Sequence, residues 1–272
     1  MPRVVVTSDL HLGITSAGRI QAMVERIQAE QPALTVLAGD IGEPFEQFVA
    51  CLELFRGLPG EVAVLAGNHD MWSVDGRHHS QDLLERLLPQ ATRDAGMLWL
   101  EDAVWQREGL VVAGSMAWYD YTAADPDLPP HDEAYWLQLK QRFHPDARYI
   151  DWPWSDPEVA ARLGDGLRAR VAAAAADPAV WGIAVVTHVP IFERQMLRKP
   201  GDLRWGSTNA YFGNLTLGQR LRDVVKLRYV LSGHTHVGRE GQVERPPLAP
   251  LPVVVVPSDY GKPAYVAVDL AP

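Results

Sequence analysis

Five short blocks carry side chains suited to a hydrolytic metal site: Ser8-Asp9-Leu10-His11, Gly39-Asp40, Gly67-Asn68-His69-Asp70, Thr187-His188 and Gly233-His234-Thr235-His236. Carboxylate, amide and imidazole groups together form the donor set of a hard or borderline divalent cation. The two-residue spacing of Asp9 and His11 sends both side chains to one side of an extended chain. Glycine before Asp40, Asn68 and His234 removes a side chain where the backbone turns sharply or approaches an ion. Each block alone is weak, because Asp and Asn also cap turns and a single histidine often satisfies a local hydrogen bond. Their weight is joint.

Such groups need rigid supports, and each block follows a predicted strand. The β-branched runs at 3–7, 34–38 and 61–66 read as buried strands. Between them, Ile20, Met23, Val24 and Ile27, then Phe45, Phe48, Val49, Leu52 and Phe55, keep the helical period. This βαβα order predicts parallel strands with helices on the sheet faces. A helix is expected around 81–88, and short runs at 97–100, 103–106 and 110–113 suggest antiparallel strands within a mixed sheet. The segment 115–156 breaks the alternation and is rich in aromatic residues, so it reads as an insertion in a single domain spanning 1–272. A helix over 156–176 follows, with Asp156 as N-cap and Pro157 in its first turn. A strand at 183–187, a loop at 190–213 and strands near 229–231, 253–256 and 265–268 complete the chain.

The blocks, in this order, resemble the calcineurin-like metallophosphoesterase superfamily, whose pattern is D-x-H, GD, GNH(D/E), H, GHxH. The resemblance implies a four-layer α/β/β/α sandwich with two mixed β-sheets. It implies one ion held by Asp9, His11, Asp40 and His236, and a second held by Asp40, Asn68, His188 and His234, with Asp40 bridging. In that family a metal-bridging hydroxide attacks phosphorus. His69 takes the place of the family's catalytic histidine, and Asp70 is expected to orient and charge it. The mixed oxygen and nitrogen shell favours Mn, while Fe, Zn, Co and Ni also suit it.

A chain of 272 residues, 47% hydrophobic, buries a substantial core, and its net charge of −9 argues against holding nucleic acid through a basic face. A small phosphorylated substrate, cleaved as a monoester or a diester, is the better fit. A nuclease and a non-catalytic scaffold with the same fold are the competing readings. The only cysteine, Cys51, lies in an apolar helical pattern and reads as buried packing. No signal peptide or run of about 18 apolar residues is evident, which predicts a soluble, cytoplasmic protein without membrane partners. His78, His79, His131 and His144 match no ligand position, and are expected to be surface or hydrogen-bonded residues. The aromatic rings at 115–156 are read as packing, with a rim over the metal site as the sharper alternative. The 190–213 loop holds Arg194, Arg198, Lys199, Arg204, Asn209 and Tyr211, none singled out for substrate.

Overall fold

The computed structural model describes every residue except Asp75. Its first half alternates β1 Arg3–Thr7, α1 Ala17–Ala29, β2 Leu34–Ala38, α2 Phe45–Leu54 and β3 Glu61–Leu65, in the predicted order. Next, α3 Ser80–Asp82 runs through a π-helical turn, Leu83–Leu87, into α4 Leu88–Asp94. Strands β4 Leu98–Trp99, β5 Val104–Arg107 and β6 Leu110–Ser115 follow. The segment 115–156 is more regular than its sequence suggests, holding α5 Glu133–Phe143 and α6 Asp146–Tyr149. The chain continues with α7 Asp156–Ala176, β7 Gly182–Thr187, α8 Leu203–Thr208, α9 Leu215–Leu221, β8 Leu227–Ser232, β9 Arg239–Arg245, β10 Leu248–Val255 and β11 Tyr265–Asp269.

Two mixed sheets result, ordered β11-β1-β2-β3-β4 and β5-β6-β7-β8-β10-β9. Strands β1 to β4 pair in parallel and β11 runs antiparallel at the edge. In the second sheet β6, β7, β8 and β10 are parallel, with antiparallel β5 and β9 outside them. The three short runs expected in one mixed sheet therefore divide: β4 joins the first sheet in parallel, and only β5 and β6 form an antiparallel pair.

Side-chain alternation explains the layering. Val4, Val6, Val36 and Leu65 of the first sheet meet Leu110, Val112, Ala184 and Val186 of the second in a dry core between the sheets. Val5, Leu37 and Val64 face the other way onto Ile20, Ile27, Phe48 and Leu52 of α1 and α2. Val111, Ile183 and Val185 face Leu167 and Val171 of α7 and Leu217 of α9. Helices thus lie outside both sheets. Cys51 is buried in the first of these helical layers.

One predicted cap differs. Ser155, not Asp156, is the N-cap of α7, and forms a capping box with Glu158. The Asp156 side chain is spent inward: it takes hydrogen bonds from Lys140 Nζ at 2.7 Å and Trp118 Nε1 at 2.7 Å, and another from Tyr121. No helix among the described residues is long and apolar enough to cross a membrane.

Candidate metal centre

The parallel strands of both sheets deliver the predicted residues at their C-terminal ends. β1 leads into Asp9 and His11, β2 into Asp40, β3 into Asn68, β7 into His188 and β8 into His234 and His236. Backbone bonds splice these loops together: Asp9 N–H donates to Gly39, His11 N–H to Asp40, and Gly233 N–H to His188. Asp9, His11, Asp40, His234 and His236 all adopt positive φ, between 44° and 70°. That left-handed conformation is sparsely populated except by Asn, Asp and His, and persists where surrounding structure over-determines it. The chain bends away from each strand at the ligand itself, which turns the side chain across the sheet ends.

The glycines act by close approach to ligand side chains. A Cβ on Gly39 would stand 2.5 Å from His188 Nδ1, and one on Gly67 would stand 2.1 Å from Asp40 Oδ1. The sequence suggested that these gaps admit an ion or a sharp turn. Gly39 does turn sharply, at φ 86°, and both gaps also admit a neighbouring ligand.

Three donor groups form among the described residues: one of His11, Glu43 and His69, and two built from the predicted ligands. Asp9, His11, Asp40 and His236 converge in one, with His11 Nε2 3.3 Å from His236 Nε2 and 3.5 Å from Asp40 Oδ2. Asp40, His188 and His234 converge in the other, where His188 Nε2 lies 3.4 Å from Asp40 Oδ1 and 3.2 Å from Asn68 Oδ1. The two oxygens of Asp40 thus face different groups. Hydrogen bonds fix which ring nitrogens are free. His188 Nδ1 faces the Ala38 carbonyl at 2.9 Å and His234 Nε2 faces the Tyr211 carbonyl at 3.0 Å, so both must be N–H. This leaves His188 Nε2 and His234 Nδ1, 3.1 Å apart, pointing at each other beside two oxygens. Either a second proton on His188 or a cation reconciles these atoms, and two imidazole nitrogens and two oxygens this close fit the metal that the donor set implies.

Without an ion, a proton on His188 balances the charge of the site. Burial lowers His234, and the charge of His188 adds to that, bringing it to about 4. For His188 burial is outweighed by Asp40, which holds it at about 9. Burial also works against ionised Asp40, yet His188 and His69 keep it well below the usual carboxylate range.

Around these groups stand carboxylates that the motif did not reveal. Glu43 Oε1 lies 3.1 Å from His69 Nδ1 and its Oε2 lies 3.7 Å from His11 Nδ1. Asp259 Oδ1 lies 3.4 Å from His236 Nδ1. Carboxylates in this position orient the imidazoles of metal sites and raise their basicity. The one available signal for Glu43 was its place three residues after Asp40; Asp259 gave none.

The expected pairing of Asp70 with His69 is not what the structure contains. Asp70 takes the backbone N–H groups of Ile41 at 2.9 Å, Gly42 at 3.1 Å and Gly67 at 2.8 Å. It fastens the loop after β2 to the loop after β3, while burial and the charge of Asp40 push its carboxyl up to about 7. Glu43 is the partner of His69. The His69 ring also stacks on Trp72, with centroids 3.7 Å apart. Burial opposes its charge, but Asp40 and Glu43 outweigh that and lift it to about 9.

The remaining histidines lie outside both groups. His78 meets the edge of Phe45, His79 pairs with Asp151, His131 stacks on Tyr135, and His144 accepts the N–H of Asp146. The segment 190–213, expected to be a loop, instead contains α8; within it Arg198 is paired with Glu193 and Lys199 lies over the ring of Trp205, while the Tyr211 carbonyl reaches the centre through His234. The aromatic segment packs: Trp118 and Tyr119 are fully buried, and Tyr121, Trp136 and Trp152 nearly so.

Comparison with known proteins adds identity to this geometry. Curated protein sequences give no match. Among solved structures, the chain is similar to phosphopantetheinyl hydrolase from Mycobacterium tuberculosis, with TM-score 0.69, 17% identity, and 97% and 95% of the two chains covered. It is also similar to a dimetal phosphatase from Danio rerio, with TM-score 0.57, 12% identity, and 98% and 91% covered. At these identities the likeness establishes the fold. The family model for calcineurin-like phosphoesterase matches residues 2–238, nearly the whole chain, and the protein therefore belongs to that family of metal-dependent phosphoesterases.

Proposed function

We propose that the protein hydrolyses phosphate esters of a small molecule with two divalent cations, one held by Asp9, His11, Asp40 and His236 and the other by Asp40, Asn68, His188 and His234. The observation that carries this reading is Asp40, whose two oxygens face separate donor groups at 3.5 Å and 3.4 Å. Bound cations supply Lewis acidity to the phosphoryl oxygens and make hydroxide available at neutral pH. The chain's own residues do the rest. His69, with Nδ1 directed at Glu43, has Nε2 left to stabilise the transferring group or to protonate the leaving oxygen. When cations engage the charge of Asp40, Glu43 remains to hold the His69 proton.

Tyr211, whose carbonyl faces His234, also lines a cavity that we assign to the leaving group. This cavity, of about 550 Å³, is lined by Leu139, Phe143, His144, Arg204 and Tyr211. Its mixed apolar and polar lining suits a small organic group, and the net charge of −9 argues against a long polyanion. Mn is the favoured ion, on ligand type alone.

The test combines metal analysis with turnover of mono- and bis-nitrophenyl phosphate in Mn. Two ions per chain are expected in the wild type, and Asp40→Asn is expected to lose at least one. His69→Ala should keep both ions while turnover falls roughly 10²- to 10⁴-fold. Fewer than two ions in the wild type, or unchanged turnover in His69→Ala, overturns the assignment.

A further inference from the structure

Asn68 is the one amide among the proposed ligands, and an amide has two faces, of which only the oxygen binds a cation. Something must choose. Asn68 Nδ2 donates at 3.0 Å to Asp146 Oδ1, and the same oxygen takes the indole N–H of Trp72 at 2.8 Å. Asp146 Oδ2 takes the hydroxyl of Tyr119 at 2.8 Å. Asp146 is fully buried, at the start of the short helix α6 within the aromatic segment, 78 residues along the chain from Asn68. Three donors on two oxygens make it an acceptor throughout. An amide oxygen turned towards it would meet only negative charge, so the NH₂ group must face Asp146 and Oδ1 must face His188.

We propose that Asp146 is a positioning residue for the metal centre, through which the aromatic segment fixes Asn68 as an oxygen donor to the second ion. The inference rests on the two-ion reading given above. It gives the segment a task beyond packing, because it contributes both Asp146 and one of that carboxylate's donors, Tyr119. It further ties that segment to His69: Trp72, held by Asp146 through its indole N–H, is the ring on which His69 stacks. The carboxylate therefore acts on the centre through Asn68 and Trp72, and touches neither ion nor substrate itself.

A charge exchange across the pair separates positioning from simple packing. Mn binding is followed by isothermal titration calorimetry on the full chain, alongside the melting temperature of metal-free protein. Asp146→Asn should weaken one of the two Mn-binding steps by about 10- to 100-fold and leave the other within about threefold. Asn68→Asp places two carboxylates face to face, and should also weaken that step. The double variant Asp146→Asn with Asn68→Asp restores one charge and one hydrogen bond in reverse, and should recover at least about tenfold of the loss. Should Asp146→Asn not fold, Asn68→Asp against the double variant decides the matter. Equal Mn binding by those two, or an Asp146→Asn protein with both steps unchanged or both weakened in parallel with melting, overturns the proposal. A wild type that binds fewer than two Mn ions sinks the two-ion reading instead.

Discussion

Glu43 and Asp70 are both acidic, both within three residues of a proposed ligand, and do different work. Glu43 faces the imidazoles of His11 and His69, whereas Asp70 faces three backbone N–H groups. The difference predicts opposite phenotypes. Glu43→Gln removes a charge that orients two rings, and should lower kcat by about 10- to 100-fold with little change in melting temperature. Asp70→Ala strands three buried donors, and should lower the unfolding free energy by about 3 kcal/mol, read by urea denaturation of metal-free protein. A variant of Asp70 that melts like the wild type while losing turnover would return it to the catalytic role suggested by its place in the motif.

At the scale of elements, the sequence made the strand-end blocks legible because period and composition agree there: β2 and β7 are buried throughout, β1, β3 and β8 over at least their last three residues, and each is followed within three residues by its first ligand. The aromatic segment was harder to read because its order comes from long-range polar bonds between residues remote in sequence. Asp146 and Asp156 each gather donors from several such positions, and neither shows a local pattern that would predict this. For the same reason the place of Asp156 before Pro157 suggests a cap, whereas Ser155 forms it. Its partner Lys140 is buried on α5, over the rings of Trp118 and Tyr119. Lys140→Ala leaves a buried carboxylate without its counter-charge, and should destabilise the protein by about 3 kcal/mol in chemical denaturation. A loss below about 1 kcal/mol would mean that Trp118 and Tyr121 suffice to hold Asp156.

Across the whole molecule, the two sheets are joined by more than their shared apolar core. Glu101 follows β4 of the first sheet and accepts from Ser115 Oγ, at the end of β6 in the second, at 2.8 Å, and from the Met116 N–H. Burial raises its carboxyl from 4.5 to about 7, against the pull of those hydrogen bonds. A carboxyl raised in the folded state contributes most when protonated, so its contribution is complete below about pH 4.5 and declines as pH rises through 7. Glu101→Gln keeps an acceptor for Met116 without titrating. The difference in unfolding free energy between variant and wild type should therefore move in the variant's favour between pH 5 and pH 8, by on the order of 1–3 kcal/mol. A difference that does not change with pH refutes the assignment. The strands beyond residue 238 belong to this same scale: β10 and β11 each extend one sheet, by pairings that no local pattern announces.

The left-handed backbone at Asp9, His11, Asp40, His234 and His236 changes how substitutions there must be interpreted. Two selections act on each position, one for a donor atom and one for a residue that tolerates this conformation. Alanine fails both, and β-branched residues fail the second most severely. A conventional alanine scan would therefore add backbone rearrangement to the loss of a ligand and credit the sum to metal binding. Asparagine keeps the conformation within reach and, as at Asn68, keeps an oxygen donor as well, so asparagine variants isolate what the charge or the ring contributes, free of the backbone cost that alanine adds.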